Sequence, residues 1–201
     1  MTTSLAAVVL TGGQGRRLGG HSKGDLLLDG VRLLDRAVAA CADCSEVVVV
    51  GDPPAAGLSV GPAGRAPRFV REEPRHSGPA SALLTGLAAL DQHDPVDLVA
   101  VLAVDMPLLT TATVARLRAA AETPPLGDGA VLVDAGGRAH LALVVRPDAL
   151  ARVAPPREEW PGLAMRALTG ALDLRPVVAR GDEESDVDTW ADAERLRVTP
   201  D

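Results

Sequence analysis

Three short runs of small and β-branched apolar residues set the fold class of this 201-residue chain. They lie at residues 4–10, 46–50 and 96–104. None shows the polar–apolar alternation of a half-exposed strand, so each predicts a strand covered on both faces. Helical spacing fills the gaps. Residues 31–42 place Leu33, Leu34, Ala37, Val38 and Cys41 on one side, and a second helix runs from Gly78-Pro79 to about residue 90. Strand alternating with helix predicts a mostly parallel α/β sheet with helices on both faces. The pattern then changes. A helix over 110–122, capped by Thr110 or Thr111, is followed by apolar segments at 129–134 and 140–145 around Gly136-Gly137, which predict an antiparallel hairpin. A helix over 160–169, a strand over 172–178 and a last helix over 188–197 with an Asp188-Thr189 cap complete the expected order. Phe69-Val70 ends a short strand, and 51–67 reads as a surface loop. The expected architecture is a three-layer Rossmann-like domain over residues 1–201, with an antiparallel hairpin added to the sheet.

Composition narrows the function. Aromatic residues make up 1% of the chain, with two Trp, one Phe and no Tyr, which argues against a stacking platform for single-stranded nucleic acid. The net charge of -7 opposes wrapping a polyphosphate backbone. The first ten residues lack a basic n-region, and no stretch approaches ~18 uninterrupted apolar residues. A cytoplasmic protein with neither nucleic acid nor membrane as partner is expected. Cys41 and Cys44 form a C-x-x-C at the end of a predicted helix, not at the N-terminus where a thiolate is favoured. Further zinc ligands are not grouped near them, so a structural role is expected.

A small-molecule site is expected in the loop after the first strand, Leu10-Thr-Gly-Gly-Gln-Gly-Arg-Arg-Leu-Gly-Gly-His-Ser-Lys23. Lys23 follows Ser22 and precedes Gly24, which departs from a P-loop. Leu18 stands where the dinucleotide fingerprint needs its third Gly, although Asp52 after the second strand imitates the ribose-binding acid. The loop fits G-G-x-x-x-R-[ML]-G-x-x-K. Gly12, Gly13 and Gly15 let backbone N–H groups approach a nucleotide without Cβ clashes. Arg16, Arg17 and Lys23 bring three cations to one loop of an acidic protein, as a triphosphate and its leaving pyrophosphate require.

At these residues the chain resembles the molybdenum cofactor guanylyltransferases, also called molybdopterin-guanine dinucleotide synthases. The pattern L-[AT]-G-G-x-x-x-R-[ML]-G-x-x-K is met at Leu10, Thr11, Gly12, Gly13, Arg17, Leu18, Gly19 and Lys23. Gly78-Pro79, Asp105-Met106-Pro107 and Asp188-Thr189 resemble later motifs of the same family. The resemblance implies a nucleotidyltransferase fold and transfer of GMP from GTP to the terminal phosphate of molybdopterin, with Mg²⁺ as cofactor. It implies that Leu10, Thr11, Gly12 and Gly13 contact the nucleotide, that Lys23 binds phosphate, that Asp105 holds the metal, and that Glu73 lies on the nucleotide side. The pattern is broken at Ser22, at Ala80-Ser81-Ala82, at Asp188 and Trp190, and at His140-Leu141 where many members have Pro-Leu. A monomer served by transient cofactor-delivery partners is expected.

The acids read as follows. Asp105 ends a buried strand, and Pro107 biases Met106 to an extended conformation, so the carboxylate faces the crevice, where Mg²⁺ takes one or two carboxylates plus phosphates and water. Asp188 either completes that metal site or caps the last helix. Arg17, Lys23 and Asp105 are the expected catalytic residues. Another nucleotidyltransferase remains open on the same residues: a cytidylyltransferase on the same cofactor, a phospholactate guanylyltransferase or a sugar-phosphate enzyme. So does a non-catalytic nucleotide-binding protein.

Overall fold

The computed structural model describes residues 3–12, 18–19, 21–54, 57–58, 65–90 and 94–200. The first apolar run is strand β1 (Leu5–Leu10), buried at every position. A two-residue hairpin follows, with β2 (Leu27–Leu28) and β3 (Val31–Arg32) joined by Asp29-Gly30. Both turn residues have positive φ, 54° and 75°, as a type I′ turn requires. Helix α1 (Leu33–Ala40) leads to β4 (Val47–Val50), and β5 (Arg68–Val70) lies beyond. Helix α2 (Pro79–Ala89) leads to β6 (Leu98–Ala103), and helix α3 (Thr111–Glu122) to the hairpin of β7 (Gly129–Val133) and β8 (Ala139–Val145). Helices α4 (Pro147–Val153) and α5 (Met165–Thr169), strand β9 (Leu174–Val178), helix α6 (Trp190–Leu196) and strand β10 (Val198–Thr199) complete the order.

The main sheet has the order β5-β4-β1-β6-β8-β7-β9. Only β8 runs against its neighbours β6 and β7. The expected α/β class, mostly parallel with an antiparallel addition, is the observed one. A small antiparallel sheet, β10-β2-β3, folds the end of the chain back onto the segment after the first loop. Apolar side chains of α1 and α3 pack on one face of the main sheet, and those of α2, α4 and α5 on the other. The fit is tightest under α2. A Cβ on Gly86 would stand 2.4 Å from Val8 Cγ1 and 2.9 Å from Val50 Cγ2, so only glycine allows this approach.

Several boundaries differ from expectation. Residues 31 and 32 pair as β3 before the helix starts, because the Asp29-Gly30 turn returns them to β2. The helix expected over 160–169 forms only at Met165–Thr169, since Pro161-Gly162 turns the chain, with Gly162 at φ 78°. Helix α4 was not expected. Thr110 and Thr189 are the N-caps of α3 and α6, each in a reciprocal capping box with Thr113 and Asp192. The paired Cys41 and Cys44 are free and buried, and the Cys44 thiol, with burial, pushes the Cys41 thiol well above its ordinary value. That suits the expected structural role. Among the described residues no helix is long and apolar enough to cross a membrane.

Candidate active site

From β1 the chain progresses outward to β4 and β5 on one side, then crosses to β6 on the other. Loops leaving the C-terminal ends of β1 and β6 therefore splay apart, and the crevice between them is where open α/β sheets bind ligands. The loop after β1 starts at Thr11, whose hydroxyl donates to Val50 O at 2.9 Å. A Cβ on Gly51 would overlap that hydroxyl, so the close approach of the two loops needs glycine there. Beside them opens a cavity of about 360 Å³ lined by Thr11, Gly12, Ser22, Asp52, Arg71 and Glu72, among others. Asp52 pairs with Arg71 and lies 3.4 Å from Arg75.

A second cavity of about 510 Å³ adjoins the first and shares Gly12, Glu72, His76 and Ala82 with it. In the wall of the second cavity, three distant parts of the chain converge. Lys23 Nζ donates to Asp105 Oδ2 at 2.8 Å and to Asp188 Oδ1 at 2.5 Å. The Lys23 side chain is 10% exposed. Burial opposes its charge, but Asp105 and then Asp188 outweigh that and hold its pKa above the ordinary lysine value. Asp186 lines the same cavity, and burial together with Asp188, Asp105 and Asp192 pushes its carboxyl up. The site thus concentrates negative charge around one ammonium. A cation already sits between two carboxylates from different loops, which is the donor set that a magnesium-type ion takes alongside phosphate oxygens and water. Among the described residues no cluster of three or more His, Cys, Asp or Glu could hold a metal by itself.

Helix α3 holds Glu183, three residues before Asp186. Arg116 makes a two-pronged contact with the Glu183 carboxylate at 2.9 and 2.7 Å, and the Thr113 hydroxyl donates to it at 2.7 Å. Val187 N donates to Asp105 O at 2.9 Å, tying the two acid-bearing loops together. His21 meets Trp190 edge-on, with ring centroids 5.8 Å apart, so the segment after β1 also touches the start of α6. Burial alone would raise the Glu183 carboxyl. Arg116, Thr113 and the Arg180 N–H outweigh it and lower its pKa from 4.5 to about 2. The stabilisation is therefore complete above pH 4.5 and is lost as pH falls through about 2. Glu183→Gln should be less stable than wild type at neutral pH. The gap between the two melting temperatures should close as pH drops from 4.5 toward 2, which a series of thermal melts would measure; a gap constant with pH would refute the assignment.

The expected residues are placed as follows. Thr11 and Gly12 line the first cavity, and Leu10 lies under the second. Lys23, Asp105 and Asp188 come together. Gly13, Arg16 and Arg17 fall outside the described residues. Glu73 is exposed and lines neither cavity, whereas its neighbour Glu72 lines both. Burial pushes the Glu72 carboxyl up against the pull of the His76 and Ser77 N–H groups, and Glu72 Oε2 is buried with no hydrogen-bond partner. The two acids are neighbours in sequence, so a one-residue slip exchanges a pocket acid for a solvated one. His140, noted in the sequence only as a departure from Pro, lines the second cavity.

The profile of the MobA-like NTP transferase domain matches residues 7–183. The 2-C-methyl-D-erythritol 4-phosphate cytidylyltransferase of Thermobifida fusca is 35% identical over 84% of this chain and 74% of its own. Molybdenum cofactor guanylyltransferases of Acidiphilium cryptum and of a Bradyrhizobium strain are 38% and 32% identical, over 58% and 73% of this chain and 58% and 68% of theirs. Among solved structures, Rv0371c of Mycobacterium tuberculosis superposes with a TM-score of 0.69 at 22% identity over 98% of both chains, and that protein has also been solved in complex with manganese. With the family's motif in the sequence, the strand-end aspartate and the sheet order in place, the chain belongs to the MobA-like NTP transferase family and is a nucleotidyltransferase.

Proposed function

We propose that the protein transfers GMP from GTP to the terminal phosphate of molybdopterin, or of its metal-bound form, and releases pyrophosphate. The observation that carries this reading is the pair of adjoining cavities, the second lined by the cluster of Lys23, Asp105 and Asp188. A donor nucleotide in the first cavity places its α-phosphate beside that cluster, and an acceptor enters through the second. The acceptor phosphate oxygen attacks the α-phosphorus, a new P–O bond forms, and the bond to the pyrophosphate oxygen breaks. That attacking oxygen is already ionised at neutral pH, because the second pKa of a phosphomonoester is ~6. No general base is needed, and positioning with charge neutralisation carries the rate. Lys23 turns from the carboxylates to the nucleotide's phosphate oxygens, Arg17 is assigned to the leaving pyrophosphate, and Asp105 with Asp188 would hold a magnesium ion. That ion would supply neutralisation of the charge growing on the leaving pyrophosphate. With the chain's few aromatic residues, the base is read by backbone groups from Leu10 to Gly13 and by the aliphatic wall of Leu34 and Val50.

Guanine is favoured by the molybdenum cofactor guanylyltransferases among the relatives. A second reading, CTP with a sugar-alcohol phosphate, is favoured by the cytidylyltransferase, which aligns over more of the chain. A panel of GTP, CTP, ATP and UTP, each with molybdopterin or 2-C-methyl-D-erythritol 4-phosphate and Mg²⁺, decides by pyrophosphate release. GTP with molybdopterin should exceed every other pair by at least ~10-fold, since one buried polar group left unsatisfied costs about 1–3 kcal/mol. Preferential turnover of CTP, or GTP binding with no turnover on any acceptor, would overturn the reading.

A further inference from the structure

We propose that His140, oriented by Asp134, is the residue on which the acceptor's terminal phosphate docks. The inference deepens the acceptor side of the function proposed above and rests on that reading for its place in the reaction. The described lining of the second cavity carries four carboxylates, those of Glu72, Asp105, Asp186 and Asp188. A phosphate dianion entering there meets like charge unless a donor of opposite character faces it. Lys23, held by Asp105 and Asp188 at rest, goes to the nucleotide's phosphate oxygens in the reaction proposed above. His76 lines both cavities, so it belongs to the junction through which the transferred group passes. His140 lines the second cavity alone.

The topology explains how it gets there. Every other strand paired with β1 or β6 points its C-terminal end at the crevice. Strand β8 runs the opposite way, with Ala142 opposite Leu102, so its first residues lie beside the end of β6 that leads into Asp105. The antiparallel strand thereby supplies the crevice with a side chain from its start.

The imidazole is held in an unfinished arrangement. His140 Nε2 is buried and has no hydrogen-bond partner. The nearest acid, Asp134 Oδ2, stands 3.6 Å away, an ion-pair separation beyond hydrogen-bond length. Asp134 is itself fixed, because its Oδ1 accepts the N–H groups of Gly136 and Arg138, both at 2.9 Å, in the hairpin turn. A carboxylate aimed at one ring nitrogen decides which face of the imidazole donates elsewhere. Both ring nitrogens donate only in the imidazolium, so the docked form is the imidazolium, with Nδ1–H on a phosphate oxygen and Nε2–H drawn onto Asp134, which satisfies the buried nitrogen. The ligand class is a phosphomonoester.

The test uses the full chain, ¹⁵N-labelled, with glycerol 3-phosphate as probe and potassium chloride at matched ionic strength as control. Imidazole ¹H–¹⁵N spectra resolve the four histidines, and His140→Gln identifies one set. A saturable shift of that set with glycerol 3-phosphate, weakened at least threefold in apparent affinity by Asp134→Asn, supports the proposal. A His140 set that stays fixed, or that moves equally with chloride, overturns it. Kinetics gives the second arm. With whichever nucleotide and acceptor the wild type turns over, His140→Gln should raise the acceptor KM about tenfold and leave the nucleotide KM within twofold; an unchanged acceptor KM overturns the proposal. If the wild type turns over no acceptor, the proposed function falls, and the spectra still decide the docking residue.

Discussion

Asp105→Asn should lower pyrophosphate release by ~10³-fold or more, the scale on which a single charge-stabilising group acts in a transition state, while the protein stays folded. Asparagine keeps the volume and the planar head of aspartate and removes only the charge. Lys23 keeps Asp188 as its partner at 2.5 Å, so the part-buried ammonium is not orphaned. The expected cost to stability is then about that of one ordinary hydrogen bond, ~1 kcal/mol. Two measurements separate the roles of this aspartate. A merely structural Asp105 would give a lowered melting temperature and nearly normal turnover. A metal-holding Asp105 gives the reverse, together with a Mg²⁺ requirement that higher metal concentration does not restore. Turnover within a few-fold of wild type would remove Asp105 from the mechanism.

The parts of the fold that could be read from the sequence are those whose residues are dictated by burial. Val8, Val49 and Val101 are fully enclosed, and nothing but apolar residues survives there, so β1, β4 and β6 stand out as uninterrupted runs. The small sheet was illegible because its strands are two residues long and pair Val198 with Leu28 across nearly the whole chain. Helix α4 was missed although Pro147-Asp148 is a fair start signal, with proline at the first helical position. The expected helix over 160–169 ignored Pro161-Gly162, which reads plainly as a turn. In the site, Lys23 and Asp105 were legible as motif residues, but that they touch, across 82 residues, was not. The Asp188 contact spans 165 residues, and composition could not distinguish a site carboxylate from a helix cap. The structure answers that ambiguity in geometry: Asp188 meets Lys23 while Thr189 does the capping. Glu72 and Asp52 depend on which way an extended segment and an Arg pair fall, and neither leaves a periodic trace.

Lys23→Met should separate charge balance from chemistry. In the wild type one ammonium neutralises Asp105 and Asp188 and is itself mostly buried. Methionine fills much of the same volume but leaves the two carboxylates facing each other, with Asp186 nearby in the same cavity. The metal-free variant should therefore melt below the wild type, by an amount that shrinks in high salt as the repulsion is screened. Mg²⁺ should then raise its melting temperature more than it raises that of the wild type, because no ammonium competes for the carboxylates and only the folded state binds the ion. Turnover should still fall by ~10²- to 10³-fold at saturating Mg²⁺, since the ion replaces Lys23 at the carboxylates and not on the phosphates. Equal Mg²⁺ responses in the two proteins would mean that the lysine does not stand where the cation binds. Full rescue of turnover by Mg²⁺ would reduce Lys23 to a counter-ion.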